Sequence, residues 1–343
     1  MTLKHFAALL LLAQAPLCAA QVTVGGSVES NIYIHDSDAP SFDGEVELEV
    51  KPRIFFAGED KLDNGDSVIW KIWTGADNYR KDKDKVWGNR EAWGGWQGDW
   101  GKLRFGRIYT PSYVDKLDWP YGNLGGSEHI GTIGLLGFNP DNSIRYDSPI
   151  MGGFSLSALY SLKSQSNETD VLGSEYFYDI AAGYKNGGWR LDFGYQENQA
   201  LKASAQAAEP ATQRMAYIAS GYDFGEFTLK GGMKRWQNAD SPTGYGDQNQ
   251  YFVQGIYTKD KHTVGVTYTY YSNLTVDGDE LDDSASQAII SQWSYALSKN
   301  TAGYIQARYA SNETNGAIGV DGETHHLPGA NSYRLLIGTW TGF

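Results

Sequence analysis

The chain has 343 residues with 28 Lys and Arg against 41 Asp and Glu, a formal charge of −13, which argues against nucleic acid as a partner. Its single cysteine, Cys18, leaves no disulfide framework or thiol chemistry in the remainder of the chain. Mean hydropathy is −0.46, yet 23 Tyr, 11 Trp and 41 Gly against 10 Pro suit a chain of membrane-interface rings and tight turns.

Taken in chain order, the first element is a leader. Lys4 precedes the apolar run Phe6–Leu12, followed by Pro16 and the small residues Cys18, Ala19 and Ala20. This pattern predicts a signal peptide over residues 1–20, cleaved after Ala20. Leu17 stands where a lipoprotein signal needs a small residue, which disfavours lipidation at Cys18. No later run approaches the roughly eighteen consecutive apolar residues of a membrane helix, so residues 21–343 read as one β domain.

Two-periodic segments follow from end to end. The first covers Val22 to His35. The second, Glu45–Phe56, sets Val46, Leu48, Val50, Pro52, Ile54 and Phe56 on one face, with Glu45, Glu47, Glu49, Lys51 and Arg53 on the other. Further segments are expected at Ser67–Asn78, Val86–Gln97, Lys102–Ile108, Asn142–Asp147, Phe154–Gln165, Glu175–Lys185 and Trp189–Gln199. The series continues through Thr212–Asp223, Phe227–Trp236, Asn249–Thr258, His262–Ser272, Ala285–Leu297, Thr301–Ser311 and Asn331–Phe343. That makes about sixteen strands, the even number of a transmembrane antiparallel barrel. Connections alternate between short turns, such as Leu62–Asp66 and Asn186–Gly188, and longer polar loops, such as Gln237–Gln248 and Asn312–Ala330. In the last strand Tyr333, Leu335, Ile337, Thr339, Thr341 and Phe343 share one mostly apolar face with rings at both ends. A strand of about ten residues is one tilted crossing of a bilayer.

One connection breaks the rhythm. Roughly 33 residues, Tyr109–Asp141, show no sustained alternation, and a structureless insert of such length is usually functional. Its flanks are Lys102-Leu-Arg-Phe-Gly-Arg-Ile-Tyr-Thr-Pro-Ser-Tyr113 and Asn142-Ser-Ile-Arg-Tyr-Asp-Ser-Pro149 with Gly152-Gly-Phe154. Together with Val22-Thr-Val-Gly-Gly-Ser-Val28 and Arg53-Ile-Phe-Phe-Ala-Gly-Glu-Asp60, they resemble the general trimeric porins of Gram-negative bacteria. The resemblance implies a barrel in the outer membrane, with membrane lipid and lipopolysaccharide as partners and the long loop folded into the lumen. It further implies a homotrimer passing ions and small hydrophilic solutes through a water-filled channel.

In that family, loop carboxylates face a ladder of arginines on the barrel wall. By motif, Arg53, Arg90 and Arg145 match the arginine positions; Arg104, between Leu103 and Phe105, joins them by its inward phase. With Arg90 inward, Glu91 is expected to face outward. The loop acids are Asp115, Asp118 and Glu128, and Gly125-Gly126 resembles the family's glycine kink. Tyr121-Gly-Asn-Leu124 replaces the family's acidic cluster, which leaves open which acids line the gap. Opposed charges across a narrow aqueous gap create a transverse field that orients dipolar solutes. The overall acidity predicts a mild preference for cations.

Other chemistry finds little support. His325-His326 lacks the second spaced pair of a zinc site, and Asp277–Asp283 lacks the spacing of a calcium loop, so neither a metal nor a cofactor is expected. No nucleophile elbow, phosphate loop or dinucleotide fingerprint points to an enzyme. The alternatives are a sugar- or anion-selective channel on the same barrel, with Trp87, Trp93, Trp96, Trp100, Trp119 and Tyr121 as a stacking track, and a soluble glycan-binding β protein. Membrane girdle and subunit packing are the expected roles of those rings.

Overall fold

A computed structural model describes residues 21–39, 44–76, 87–122, 128–162, 174–200, 212–241, 244–320 and 327–343. The leader, Gly125-Gly126 and His325-His326 lie outside these residues, as does the side chain of Glu128.

The strands are β1 (Gln21–Ser37), β2 (Glu45–Lys61), β3 (Ser67–Gly75), β4 (Glu91–Gly98), β5 (Gly101–Arg107), β6 (Ser143–Asp147), β7 (Phe154–Leu162), β8 (Ser174–Asn186) and β9 (Trp189–Ala200). They continue as β10 (Thr212–Asp223), β11 (Phe227–Ser241), β12 (Gly244–Lys259), β13 (His262–Tyr271), β14 (Thr275–Val276), β15 (Asp279–Glu280), β16 (Ser286–Ala296), β17 (Thr301–Asn312) and β18 (Ser332–Gly342). β14 and β15 form a small hairpin in a loop. The other strands pair antiparallel in chain order, and β1 pairs with both β2 and β18, closing a sixteen-stranded barrel. Closure removes the unpaired edge that a bilayer does not tolerate.

The seam depends on glycine. Gly26 and Phe343 exchange backbone hydrogen bonds of 3.0 Å in both directions. A Cβ on Gly26 would fall 2.2 Å from the Arg53 carbonyl and 2.7 Å from the Phe343 ring. The turn Leu62–Asp66 closes with Leu62 N–H donating to the Asp66 carbonyl at 2.8 Å, and Gly65 takes a φ of 92° there.

Side chains are sorted inside out relative to a water-soluble domain. Ile32, Ile34, Val46, Leu48, Leu335, Ile337 and Phe343 point away from the barrel and are exposed, whereas Asn31, Glu49, Gln250, Gln254 and Thr269 are buried. This is the two-residue period read against a lipid exterior and a polar interior. Rings cluster at the rim of short turns: Trp189, Tyr222, Phe224 and Phe227 follow one another with centroids 4.7, 4.6 and 6.1 Å apart. Among the described residues, no helix is long and apolar enough to cross a membrane.

The expected segments differ from the strands mainly at their ends. β4 begins at Glu91 rather than Val86, because Gly88 adopts a φ of 77° and Asn89 takes over the pairing. Its side chain accepts from Gly75 N–H at 3.0 Å and donates to the Gly75 carbonyl at 2.9 Å. β12 is longer than expected, starting at Gly244.

Candidate pore constriction

The long connection between β5 and β6 folds into three helical pieces, Pro111–Asp118, Trp119–Gly122 and Glu128–Thr132. Thr110 is extended and Pro111 opens the first turn, where its missing N–H costs nothing. Ser112, Lys116, Leu117 and Tyr121 are buried against the inner barrel wall, while Asp115 and Trp119 on the opposite face are exposed. Leu117, Tyr121, Ile130 and Ile133 pack in one apolar cluster with Met215, Tyr217, Trp236, Phe252 and Tyr271 of β10–β13. The loop therefore crosses the lumen and lies along β8–β13.

Polar anchors fix it there. Asp179 of β8 accepts from Ser112 N–H at 3.0 Å and from its hydroxyl at 2.6 Å. Asp192 of β9 accepts from the Tyr121 hydroxyl at 2.9 Å, pairs with Lys116 at 3.5 Å and also holds Arg190. Gly183 makes room for this, since a Cβ there would lie 2.3 Å from Lys116 Nζ. Burial lowers the proton affinity of Lys116, and the Asp192 charge opposes that shift. Lys234 of β11, fully buried, donates to the carbonyls of Ile130 and Ile133 at 2.6 Å each. Gln196 Nε2 donates to Asp179 at 2.9 Å, and Leu136 N–H donates to Gln196 at 2.9 Å.

The arginines fall into two groups. Arg145 and Arg104 are neutralised close to the loop's base. Arg145, 3% exposed, bonds Asp147 at 2.6 and 2.9 Å, the Tyr109 carbonyl at 2.6 Å, and Asp115. Arg104 pairs with Asp147 at 2.5 Å and lies 5.0 Å from the Trp93 ring. The geometry makes Arg145 a clamp joining barrel to loop, with no open face on the water.

Arg53 and Arg90 are different. Neither makes an ion pair among the described residues, and both are half-buried. Arg90 lies 4.9 Å from the Trp73 ring and 5.6 Å from Tyr109. Burial pushes the Tyr109 hydroxyl up to about 12, partly offset by Arg90 and Arg53. Asp118 acts on Tyr113, as do Arg90 and Arg53, so the loop acid and the two wall cations share one neighbourhood.

Two expectations need correcting. Glu91 faces inward, is 4% exposed, and accepts from Lys71 at 2.6 Å and from Trp93 Nε1 at 3.1 Å. Arg90 precedes β4 and does not obey its alternation, so an inward Arg90 does not force Glu91 outward. Trp93, Trp119 and Tyr121 are not girdle residues either: the first lines the inner wall and the others sit on the inserted loop. Sequence reasoning passed over Lys71, Lys116, Asp147, Asp179, Asp192 and Lys234. Only Arg145/Asp147 and Arg190/Asp192 carry a local signal, opposite charges two residues apart on one strand face.

A closed, polar-lined barrel with an inserted loop is the architecture of a diffusion channel. The profile of the Gram-negative porin family matches residues 7–315, and the chain belongs to that family. It is 26% identical over 337 residues to the major outer membrane protein P.IB of Neisseria meningitidis serogroup B / serotype 15 (strain H44/76), covering 91% of this chain and 97% of the relative. The Neisseria sicca protein of the same name is 29% identical over 197 residues, covering 52% of this chain and 54% of that protein. Among solved structures, an anion-selective porin from Comamonas acidovorans superposes with a TM-score of 0.72 at 18% identity, covering 94% of this chain and 100% of that one. Salmonella typhi OmpF in complex with daunomycin gives 0.69 at 14% identity, over 94% and 98%. The protein is thus an outer-membrane porin that forms a water-filled channel for passive diffusion, and not an enzyme.

Proposed function

We propose that the narrowest part of the channel lies between the inserted loop and the β2–β4 wall, with Arg53 and Arg90 on the wall and Asp118 on the loop. Arg145 and Asp115 belong to the same charged belt but hold the loop in place, and Arg104 pairs with Asp147 beside them. The supporting observation is the unequal pairing of charge. Glu49, Glu91, Asp147 and Asp192 each have a cation within 3.5 Å, while Arg53 and Arg90 have no carboxylate partner among the described residues. At a constriction, local uncompensated charge outweighs distant charge screened by salt. We therefore infer a preference for anions, against the cation preference that the total charge suggests.

We further propose a homotrimer. β4, β5 and β6 have 8, 7 and 5 residues, fewer than the roughly 9–11 that cross a bilayer. Their outward side carries exposed Trp96, Phe105 and Ile144. A neighbouring subunit would cover this low sector, while lipid and lipopolysaccharide surround the taller strands. Residues 1–20 act as the cleaved leader that directs export.

Planar-bilayer recording of the detergent-purified mature protein tests this reading. Openings in threes are expected, with selectivity altered by Asp115→Ala/Asp118→Ala. Single independent openings would remove the trimer, and unaltered selectivity would move the constriction elsewhere.

A further inference from the structure

The β2–β4 wall carries two arginines grouped around one glycine. Arg53 and Arg90 flank Gly75, where a Cβ would lie 3.2 Å from Arg90 Cδ and 3.8 Å from Arg53 Cγ. The missing side chain lets the two arginine stems run side by side. Their Nε atoms are buried without a hydrogen-bond partner, and the Arg90 guanidinium lies over the Trp73 and Tyr109 rings. Two neighbouring guanidinium groups with no carboxylate partner among the described residues are prepared for one from outside.

The loop supplies the second element. Trp119 is 63% exposed, on the face of the loop opposite the residues buried against β8–β13. In a water-filled lumen such a ring has no packing role to explain it. On the same loop, Tyr113 stands 5.3 Å from Tyr109 and 5.2 Å from Phe138, itself 38% exposed. A series of ring contacts therefore runs from the wall at Trp73, through Tyr109 and Tyr113, to Phe138.

We propose that this constriction binds and favours flat aromatic monocarboxylates, the carboxylate on Arg53 and Arg90 and the ring on the Trp119 side. The inference rests on the constriction reading given above and adds the class of solute. Asp118 nearby disfavours multiply charged anions by repulsion. A saturated ring of the same size fills the space but gives up ring–ring geometry.

The test is block of ion current through the full mature channel in planar bilayers by benzoate, cyclohexanecarboxylate and acetate. Benzoate is expected to half-block at a concentration about five-fold below cyclohexanecarboxylate, the factor for an aromatic pair. Trp119→Ala should erase that difference and Trp119→Phe should keep it, with heat-modifiable migration reporting that both fold. Arg53→Gln/Arg90→Gln should remove block by all the carboxylates. Equal block by benzoate and cyclohexanecarboxylate, or a difference surviving in Trp119→Ala, would overturn the proposal while leaving the constriction intact. An arginine double variant with unchanged selectivity and unchanged block would overturn the constriction reading as well.

Discussion

The inner surface of the barrel has two walls built by the same alternation and used in opposite ways. Along β8–β13, inward polar groups such as Asp179, Asp192, Gln196, Lys234 and Gln250 are nearly or fully buried, because the inserted loop covers them and supplies their partners. Along β2–β4, Lys51, Arg53 and Lys71 stay partly open to the lumen. The lesson is that an inward polar residue in a barrel is not functional by itself. Whether it anchors or faces solute depends on where the loop lies, and that depends on a few side chains.

Breaking the covered wall should have the larger effect. Asp192→Ala removes the shared partner of Lys116, Tyr121 and Arg190 and leaves Lys116 buried and unpaired. Loss of one member of a buried pair costs about 3–5 kcal/mol, enough to free the loop from its seat. Single-channel current should become larger and noisier, and the loop should become protease-sensitive; unchanged traces would show that Asp192 does not hold it. Lys234→Met strands the carbonyls of Ile130 and Ile133, a loss of about 1–3 kcal/mol. Here a smaller rise in current noise is expected, with the apolar cluster around Trp236 still holding the loop. A larger effect than that of Asp192→Ala would reverse the order of the anchors.

Much of the barrel could be read from the residues because its period is short and its solvent is lipid. Val46, Leu48 and Val50 announce their face without any knowledge of the rest of the chain. Strand ends were less legible where a side chain replaces the ladder, as Asn89 does at β4. The Asp277-Gly278 turn, with φ of 53° and 91°, joins the β14–β15 hairpin that the acid-rich reading of this stretch overlooked.

The candidate site was legible only in part. Arg53, Arg104 and Arg145 declare their inward phase, but nothing local distinguishes an arginine clamped by Asp115 from one left open. The anchors of the loop on β8–β11 lie 60 to 104 positions away in sequence, so Asp192 and Lys234 look like ordinary lumen residues until the fold brings the loop to them. Trp119 looks like a girdle ring for the same reason.

The most direct measurement is the reversal potential in a salt gradient for the wild-type channel and for Arg53→Gln/Arg90→Gln. Uncompensated cations on the open wall predict an anion preference in the wild type and a shift toward cations in the variant. A cation-preferring wild type, with a reversal potential that the double substitution leaves in place, would contradict the account.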